Sequence, residues 1–382
     1  MFNVEKDIYY VGVNDHAVDL FEGMYKVPDG MSYNSYIIKD EKVAVLDTVD
    51  AAFGKEWMTN VKAVLGDSQP AYLVVHHMEP DHSANILAFI KEYPSVQVVG
   101  NAKTFTMIKE YFGFEVKNAL TVGDGSILSL GRHSLRFVMA PLVHWPEVMF
   151  SYDETDKILF SADAFGKFGA LDVQQPWDDE ARRYYIGIVG KYGVQVQNVL
   201  KKVSMLQVDK ICPLHGPVLE GDLSHYIGLY DTWSSYRPES EAVMIAYASI
   251  YGHTKAVAGM LADILKKAGK EVVLADLART DRAECVAQAF RCSKLVLASV
   301  TYNAELFPCM REFIDCLAER NFRARKVGFI ENGTWSPISA KLMRERLACC
   351  KDLDYIENTV KIRAAFSAEN AAELEALANE LI

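Results

Sequence analysis

The chain has 382 residues, half of them apolar, and a formal charge of −11 from 40 Lys and Arg against 51 Asp and Glu. That length calls for two domains with sizeable cores. The acidic balance gives no general attraction to nucleic acid or an anionic membrane surface, and no apolar run approaches the ~20 residues that cross a bilayer.

In chain order, segments 33–38 and 42–47 flank Lys39-Asp40-Glu41 and predict a hairpin. An apolar run at 71–75 ends in His77-Met78-Glu79-Pro80-Asp81-His82, and a helical pattern follows over 84–93. Further strands are expected at 96–100, 134–139 and 157–161, and a long helical stretch at 181–208. Strands interspersed with helices suggest stacked sheets covered by helices. Near Tyr236-Arg237-Pro238-Glu239-Ser240-Glu241 the composition turns polar. Beyond it, strand candidates at 243–248, 271–276, 294–299, 326–331 and 360–364 alternate with helix-length stretches, the pattern of a doubly wound parallel sheet. The boundary is placed at about residue 240, giving domains 1–240 and 241–382. The seven cysteines (212, 285, 292, 309, 316, 349 and 350) are odd in number and never spaced CxxC. Reduced thiols in a cytoplasmic setting are therefore expected, and Met1–Asp7 has no signal-peptide character.

The segment 77–82 packs four metal-ligand side chains into six residues. Unpaired, such groups are costly to bury; around a metal they compensate one another. In an extended segment His77, Glu79 and Asp81 would share a face, stiffened by Pro80, with His82 added where the chain turns. Glu79 shifts the ligand set toward oxygen, which suits redox iron better than structural zinc. His144, Asp163 and His215 lie downstream in loop-like contexts. Seven ligands make two sites if one carboxylate bridges. His76 should face the other way, and His16, His133, His225 and His253 are read as non-ligating.

The order HxExDH, then His, Asp and His, resembles the metallo-β-lactamase fold with Glu79 where its zinc hydrolases commonly carry His. Together with Trp145-Pro146, Ser161-Ala162-Asp163-Ala164-Phe165-Gly166 and the second half, the whole chain resembles a flavodiiron protein (A-type flavoprotein). Ser83-Ala84 stands where that family often has Ser-Gly. The resemblance implies an α/β architecture: an N-terminal αββα sandwich followed by a flavodoxin-like five-stranded parallel sheet. It further implies one iron on His77, Glu79 and His144, a second on Asp81, His82 and His215, and Asp163 bridging them.

In the second half, strand 243–248 runs into Ser249-Ile250-Tyr251-Gly252-His253-Thr254 and a helix. Hydroxyls, a glycine and a helix N-terminus after a parallel strand make a phosphate cradle. Thr301-Tyr302-Asn303-Ala304 and Asn332-Gly333-Thr334-Trp335 follow the third and fourth strands, where such sheets bind ligands. Tyr302 or Trp335 could stack on an isoalloxazine, with Asn303 and Asn332 at its polar edge. Resemblance to flavodoxins implies FMN.

Two ferrous ions and a reduced flavin hold four electrons, the number that takes O2 to water; coupling two NO to N2O takes two. The expected activity is therefore reduction of O2 and/or NO, as a detoxifying oxidoreductase. No CxxC pair is appended before Ile382, so a separate electron donor is expected: rubredoxin by resemblance, or a deazaflavin or flavin reductase. The resemblance also implies a head-to-tail homodimer or a tetramer. The rival readings are a zinc-dependent hydrolase of the same superfamily and an electron-transfer flavodoxin with an inert N-terminal domain.

Overall fold

Short strands dominate the first half because its apolar residues come in brief unbroken runs between turn residues, such as 43–46 and 158–160. In a computed structural model, which describes residues 1–382, a seven-stranded sheet takes β1 (Phe2–Glu5), β2 (Ile8–Tyr10), β3 (Tyr36–Ile38), β4 (Val43–Leu46), β5 (Pro70–Val74), β6 (Gln97–Gly100) and β7 (Ala119–Thr121) in that spatial order. The expected hairpin is β3–β4, with Ile37 opposite Val45. A six-stranded sheet takes β8 (Ile127–Ser129), β9 (Ser134–Met139), β10 (Met149–Asp153), β11 (Ile158–Phe160), β12 (Lys210–Cys212) and β13 (Leu219–Glu220).

One face of each sheet meets in a single core. Tyr36, Ile38, Leu46, Tyr72 and Val74 from the first pack with Leu135, Phe137, Met149, Ile158 and Phe160 from the second. The alternate residues Ile37, Val45, Leu73 and Val98 are fully buried as well, so both faces of the central strands are covered. Among the covering helices, α1 (Gly54–Leu65) sends Trp57 inward, its indole N–H donating to Ser35 Oγ at 3.0 Å. The helices α2 (Pro80–Ser83), α3 (Ile86–Glu92) and α4 (Ala102–Phe112) follow.

The long helix expected over 181–208 is broken. Helix α5 (Trp177–Tyr184) passes into a wide π-helical turn at Tyr185–Val189, a 3₁₀ turn at Gly190–Tyr192, and then α6 (Gly193–Val203). Gly187, Gly190 and Gly193 fall at this interruption, where their low helix propensity removes the resistance to a change of winding. The chain divides accordingly into Met1–Tyr185 with Val194–Asp231, and Ile186–Gly193 with Thr232–Ile382. Residues 186–193 are tied into the second unit through Lys191, whose carbonyl accepts from Asn321 Nδ2 at 2.9 Å and Tyr236 Oη at 3.1 Å.

After α7 (Ser224–Ser234), the second unit is an all-parallel sheet of β14 (Ser240–Tyr247), β15 (Val272–Asp276), β16 (Cys292–Tyr302), β17 (Lys326–Asn332) and β18 (Asp354–Ile362). Its spatial order, β15-β14-β16-β17-β18, is the flavodoxin-like order. Helices α8 (His253–Lys267) and α9 (Ala368–Leu381) pack on one face of this sheet through Val257, Leu261, Leu265, Leu374 and Leu377. Strand β18 begins well before the expected 360, because Asp354–Thr359 mixes polar and apolar residues and only its end reads as an apolar run.

Candidate functional site

In the first unit, loops at the ends of four strands and the short helix α2 supply the ligand-type side chains. β5 runs into His76 and His77, β9 into the loop carrying His144, β11 into Asp163 and β12 into His215. β11 and β12 are parallel, and β9 runs the same way through two antiparallel steps, so these three loops emerge at one end of the sandwich.

The extended common face expected for His77, Glu79 and Asp81 is not formed. Pro80 occupies the first position of α2, where its fixed φ favours helix entry, and the chain turns at Glu79. That turn swings Asp81 and His82 away toward His215. Ser83 Oγ fixes it by donating to the carbonyls of Met78 at 2.7 Å and Glu79 at 3.0 Å.

Two ligand clusters result: His77, Glu79, His144 and Asp163, and Asp81, His82 and His215, each with its donor atoms within 4.8 Å of one another. Nε2 of His144 lies 3.1 Å from Glu79 Oε2 and 3.2 Å from His77 Nε2; His82 and His215 face each other through Nε2 at 3.0 Å. Asp163 addresses both clusters. Its Oδ2 is 3.0 Å from His144 Nε2 and 3.6 Å from His77 Nε2, whereas its Oδ1 is 3.4 Å from His82 Nε2 and 4.0 Å from His215 Nε2.

The donor set fits metal ions. Imidazoles present the same nitrogen to each other, and both oxygens of Asp81 and Oδ1 of Asp163 are buried without any hydrogen-bond donor. Buried polar atoms are normally satisfied, so such convergent orphans mark a place built for cations. The charges agree. Burial opposes ionisation of Asp163, yet His77, His144 and His82 hold its carboxyl well below the usual range. Burial alone would depress His144, but its bonds to Asp163 and Glu79 lift it to about 9. His77 is raised likewise, burial being outweighed by Asp163, Glu147 and Glu79.

Three residues near the clusters escaped the sequence reading. Glu147 is buried, and its Oε1 accepts from His77 Nδ1 and from the Met78 N–H, each at 2.8 Å; it sets the ring's tautomer and aim. Ser32 does the same for His215, its carbonyl accepting from Nδ1 at 2.7 Å. Tyr184 is fully buried against His215, and its hydroxyl has no partner. Burial and then the carboxylates of Asp163, Glu79 and Asp81 push its pKa far up, so it stays an O–H donor. None of the three had a spacing pattern that marked it. His76 does face away, with Nδ1 2.5 Å from Asp47 and Nε2 2.7 Å from Ser151 Oγ. A third grouping of His133, Asp153 and Asp156 already contains a cation, the Arg132 guanidinium, 3.1 Å from His133 Nε2.

In the second unit a cavity of about 320 Å³ opens at the carboxyl ends of β14, β16 and β17, where the strand order reverses. Of the residues expected there, Ser249, Ile250, Tyr251, His253, Thr254, Thr301, Asn303, Ala304, Asn332, Gly333, Thr334 and Trp335 line it; Val300, Ser336 and Ala364 join them. Gly252 does not line the wall but makes the loop possible. Its φ of +92° starts α8 without a side-chain cap, which leaves the first-turn N–H groups open to an anion. Tyr302 is not part of the lining; it packs edge-on against Phe307, so of the two stacking candidates only Trp335, 83% exposed, presents its ring there. Asn332 is otherwise engaged than expected: its Nδ2 donates to Thr254 Oγ1 and the Ala364 carbonyl, and its Oδ1 accepts from the Ala364 N–H. Thr301 Oγ1 likewise accepts from the Ile338 and Ser339 N–H groups. A lining rich in apolar surface, an exposed indole and an uncapped helix start fit a planar ring carrying a phosphate.

Fold and sites together define a β-lactamase-like metal-binding sandwich joined in one chain to a flavodoxin-like sheet. Residues 31–216 match the model of the ODP family beta lactamase. The chain is 30% identical over 357 residues to a nitric oxide reductase of Moorella thermoacetica, covering 90% of this chain and 88% of that one. It is 28% identical to the anaerobic nitric oxide reductase flavorubredoxin of Aliivibrio fischeri, covering 90% and 72%. The crystal structure of the flavodiiron protein from Giardia intestinalis superposes with a TM-score of 0.92 at 27% identity, covering 99% of this chain and 95% of that one. The rubredoxin oxygen:oxidoreductase of Desulfovibrio gigas shares the fold, with a TM-score of 0.92 at 23% identity, covering 100% and 98%. The chain belongs to the flavodiiron protein family.

Proposed function

We propose that this protein is a di-iron flavoprotein oxidoreductase that reduces NO to N2O and/or O2 to water. The observation that carries the reading is Asp163, a single carboxylate offering one oxygen to each of two facing ligand clusters, in a chain that also carries a flavin-sized cavity. His77, Glu79 and His144 would hold one iron and Asp81, His82 and His215 the other, with Asp163 shared. FMN would place its phosphate at the start of α8, among Ser249–Thr254, and its ring by Trp335, Asn303, Ala304, Gly333 and Thr334. Residues 1–240 would thus carry the irons and 241–382 the flavin. When bound, the irons polarise the diatomic gas and the flavin supplies electrons to them.

The chain's own residues do the remaining work. Glu147 and Ser32 aim His77 and His215 so that each offers Nε2 to a metal. Phe21, Phe168 and Tyr184 wall the second cluster, with Phe21 5.3 Å from the His215 ring and Phe168 5.1 Å from Tyr184. Such a wall favours a small uncharged gas and excludes bulk water. Reduction of either gas consumes protons, and burial together with the nearby negative charge keeps one on Tyr184 Oη. A zinc hydrolase would need neither the oxygen-rich set with Glu79 nor the flavin cavity.

Electrons would come from a separate donor; relatives named for rubredoxin make that protein the first to test, ahead of a deazaflavin or flavin reductase. A head-to-tail homodimer or a tetramer would let one subunit's flavin serve its partner's irons. Seven free cysteines suit a reducing, cytoplasmic compartment. No helix is long and apolar enough to cross a membrane. Asp163→Ala or His82→Asn should lose iron and gas reduction yet keep FMN; activity that survives iron loss would overturn the assignment.

A further inference from the structure

An aromatic ladder leads from the first cluster to the surface. The Trp145 ring centroid is 5.2 Å from that of His77 and 6.0 Å from that of His144. On its other side Tyr111, near the end of α4, stacks on Trp145 at 6.0 Å with 19° between the planes. Tyr111 is 49% exposed. Phenol and indole are the two readily oxidised rings among amino-acid side chains. A phenol loses its proton when it loses an electron, so it needs water beside it; an indole can pass an electron on and keep its proton. The order found here, indole inside and phenol outside, meets both needs. The other rings about the clusters do not: Phe21 and Phe168 resist oxidation, Tyr184 is sealed with no hydrogen-bond acceptor, and Tyr33, 6.0 Å from the His215 ring, donates to Asp15 but is buried away from water.

We propose that Trp145 and Tyr111 form a one-electron relay that completes O2 reduction when the flavin is one electron short. This rests on the O2 branch of the proposed function, since O2 is the oxidant. The irons supply two electrons and the under-reduced flavin one, three of the four that O2 needs. Trp145 gives the fourth and becomes a radical cation. Tyr111 then refills Trp145, releases its phenolic proton to water and remains as a neutral radical at the surface, where the separate one-electron donor returns an electron and water returns the proton. The fully reduced protein has no call on the relay.

The test uses the iron- and FMN-loaded protein, reduced anaerobically with three electrons per chain and, in parallel, with four. Each sample is mixed with O2, freeze-quenched and examined by electron paramagnetic resonance. The relay predicts a tyrosyl radical in the three-electron sample only, altered by ring-deuterated tyrosine. Y111F should replace it with an indole radical while keeping iron content and four-electron O2 uptake, and W145F should remove both radicals. The surface Tyr111→Phe change keeps the test valid should the Trp145→Phe protein fold poorly. The same tyrosyl radical in Y111F, or O2 uptake by the three-electron sample with no radical at all, overturns the relay alone. If the four-electron sample takes up no O2, or releases H2O2 in its place, the O2 branch of the function falls and the relay with it.

Discussion

Glu147→Gln isolates what one carboxylate contributes to the metal centre. Glu147 is 1% exposed, and its Oε1 accepts from two donors at 2.8 Å, His77 Nδ1 and the Met78 N–H. Burial works against its charge, but the bonds from His77 and Met78 hold it ionised. Glutamine keeps the volume and one acceptor oxygen, so shape and His77 tautomer survive. The charge is lost: a hydrogen bond to a charged group contributes about 1.5–3 kcal/mol against about 0.5–1.5 for a neutral one, a difference of roughly 1–2 kcal/mol. The new amide must also sit where Oε2 has no partner, which adds to the cost. Loss of an outer partner of a ligating histidine typically lowers metal affinity about 10–100-fold, consistent with that difference. Anaerobic competition for ferrous iron against a chelator should therefore show about a 10-fold weaker site, with FMN content unchanged in the same sample. Iron affinity equal to the parent's would refute the role given to Glu147, and joint loss of iron and FMN would point to misfolding instead.

The metal-free centre should be pH-dependent. With His144 raised from its usual value to about 9 and His77 raised as well, iron displaces protons from the ligand set, so affinity should climb as pH rises toward about 9. By the same sign, His144 stabilises the apoprotein fully below its unfolded pKa and loses that contribution as pH rises through about 9; the apoprotein's thermal midpoint should fall there while the iron-loaded midpoint stays level. Trp335→Ala removes the exposed ring of the flavin cavity, and fluorescence titration of the FMN-free protein should show about a 10-fold weaker complex, as expected for ~1–1.5 kcal/mol of stacking. Gly252→Ala meets no atom within 4 Å, so its effect is purely the positive φ of +92°; denaturant unfolding should show a loss of about 1–2 kcal/mol.

What was legible in the sequence follows from periodicity and chemistry. The hairpin 36–46 and the parallel strands from 240 onward have apolar runs of the right length between turn residues, and they formed. The seven ligand-type residues were visible because so many imidazoles and carboxylates serve no packing purpose. Their division into clusters is less visible in the local pattern: Pro80 suggests a stiffened extended segment, whereas at a helix start it sends Asp81 to the other side. The helix break at 185–193 depended on three glycines outweighed by the surrounding apolar pattern. Glu147, Tyr184 and Ser32 owe their places to contacts between segments far apart in the chain, which no local pattern encodes. Ser336 and Ala364 reach the flavin cavity through positive φ angles of 42° and 65°, unexpected for their residue types, and Asn332 turned inward to bind Ala364.

The central claim is that one chain couples two irons to a flavin for complete reduction of a diatomic gas. Its most direct test is a single turnover of the fully reduced, iron- and FMN-loaded protein with each gas, read by membrane-inlet mass spectrometry with H2O2 measured alongside. The account predicts N2O from NO, or loss of O2 without H2O2, or both. NO left unconverted, together with stoichiometric H2O2 from O2, would contradict it.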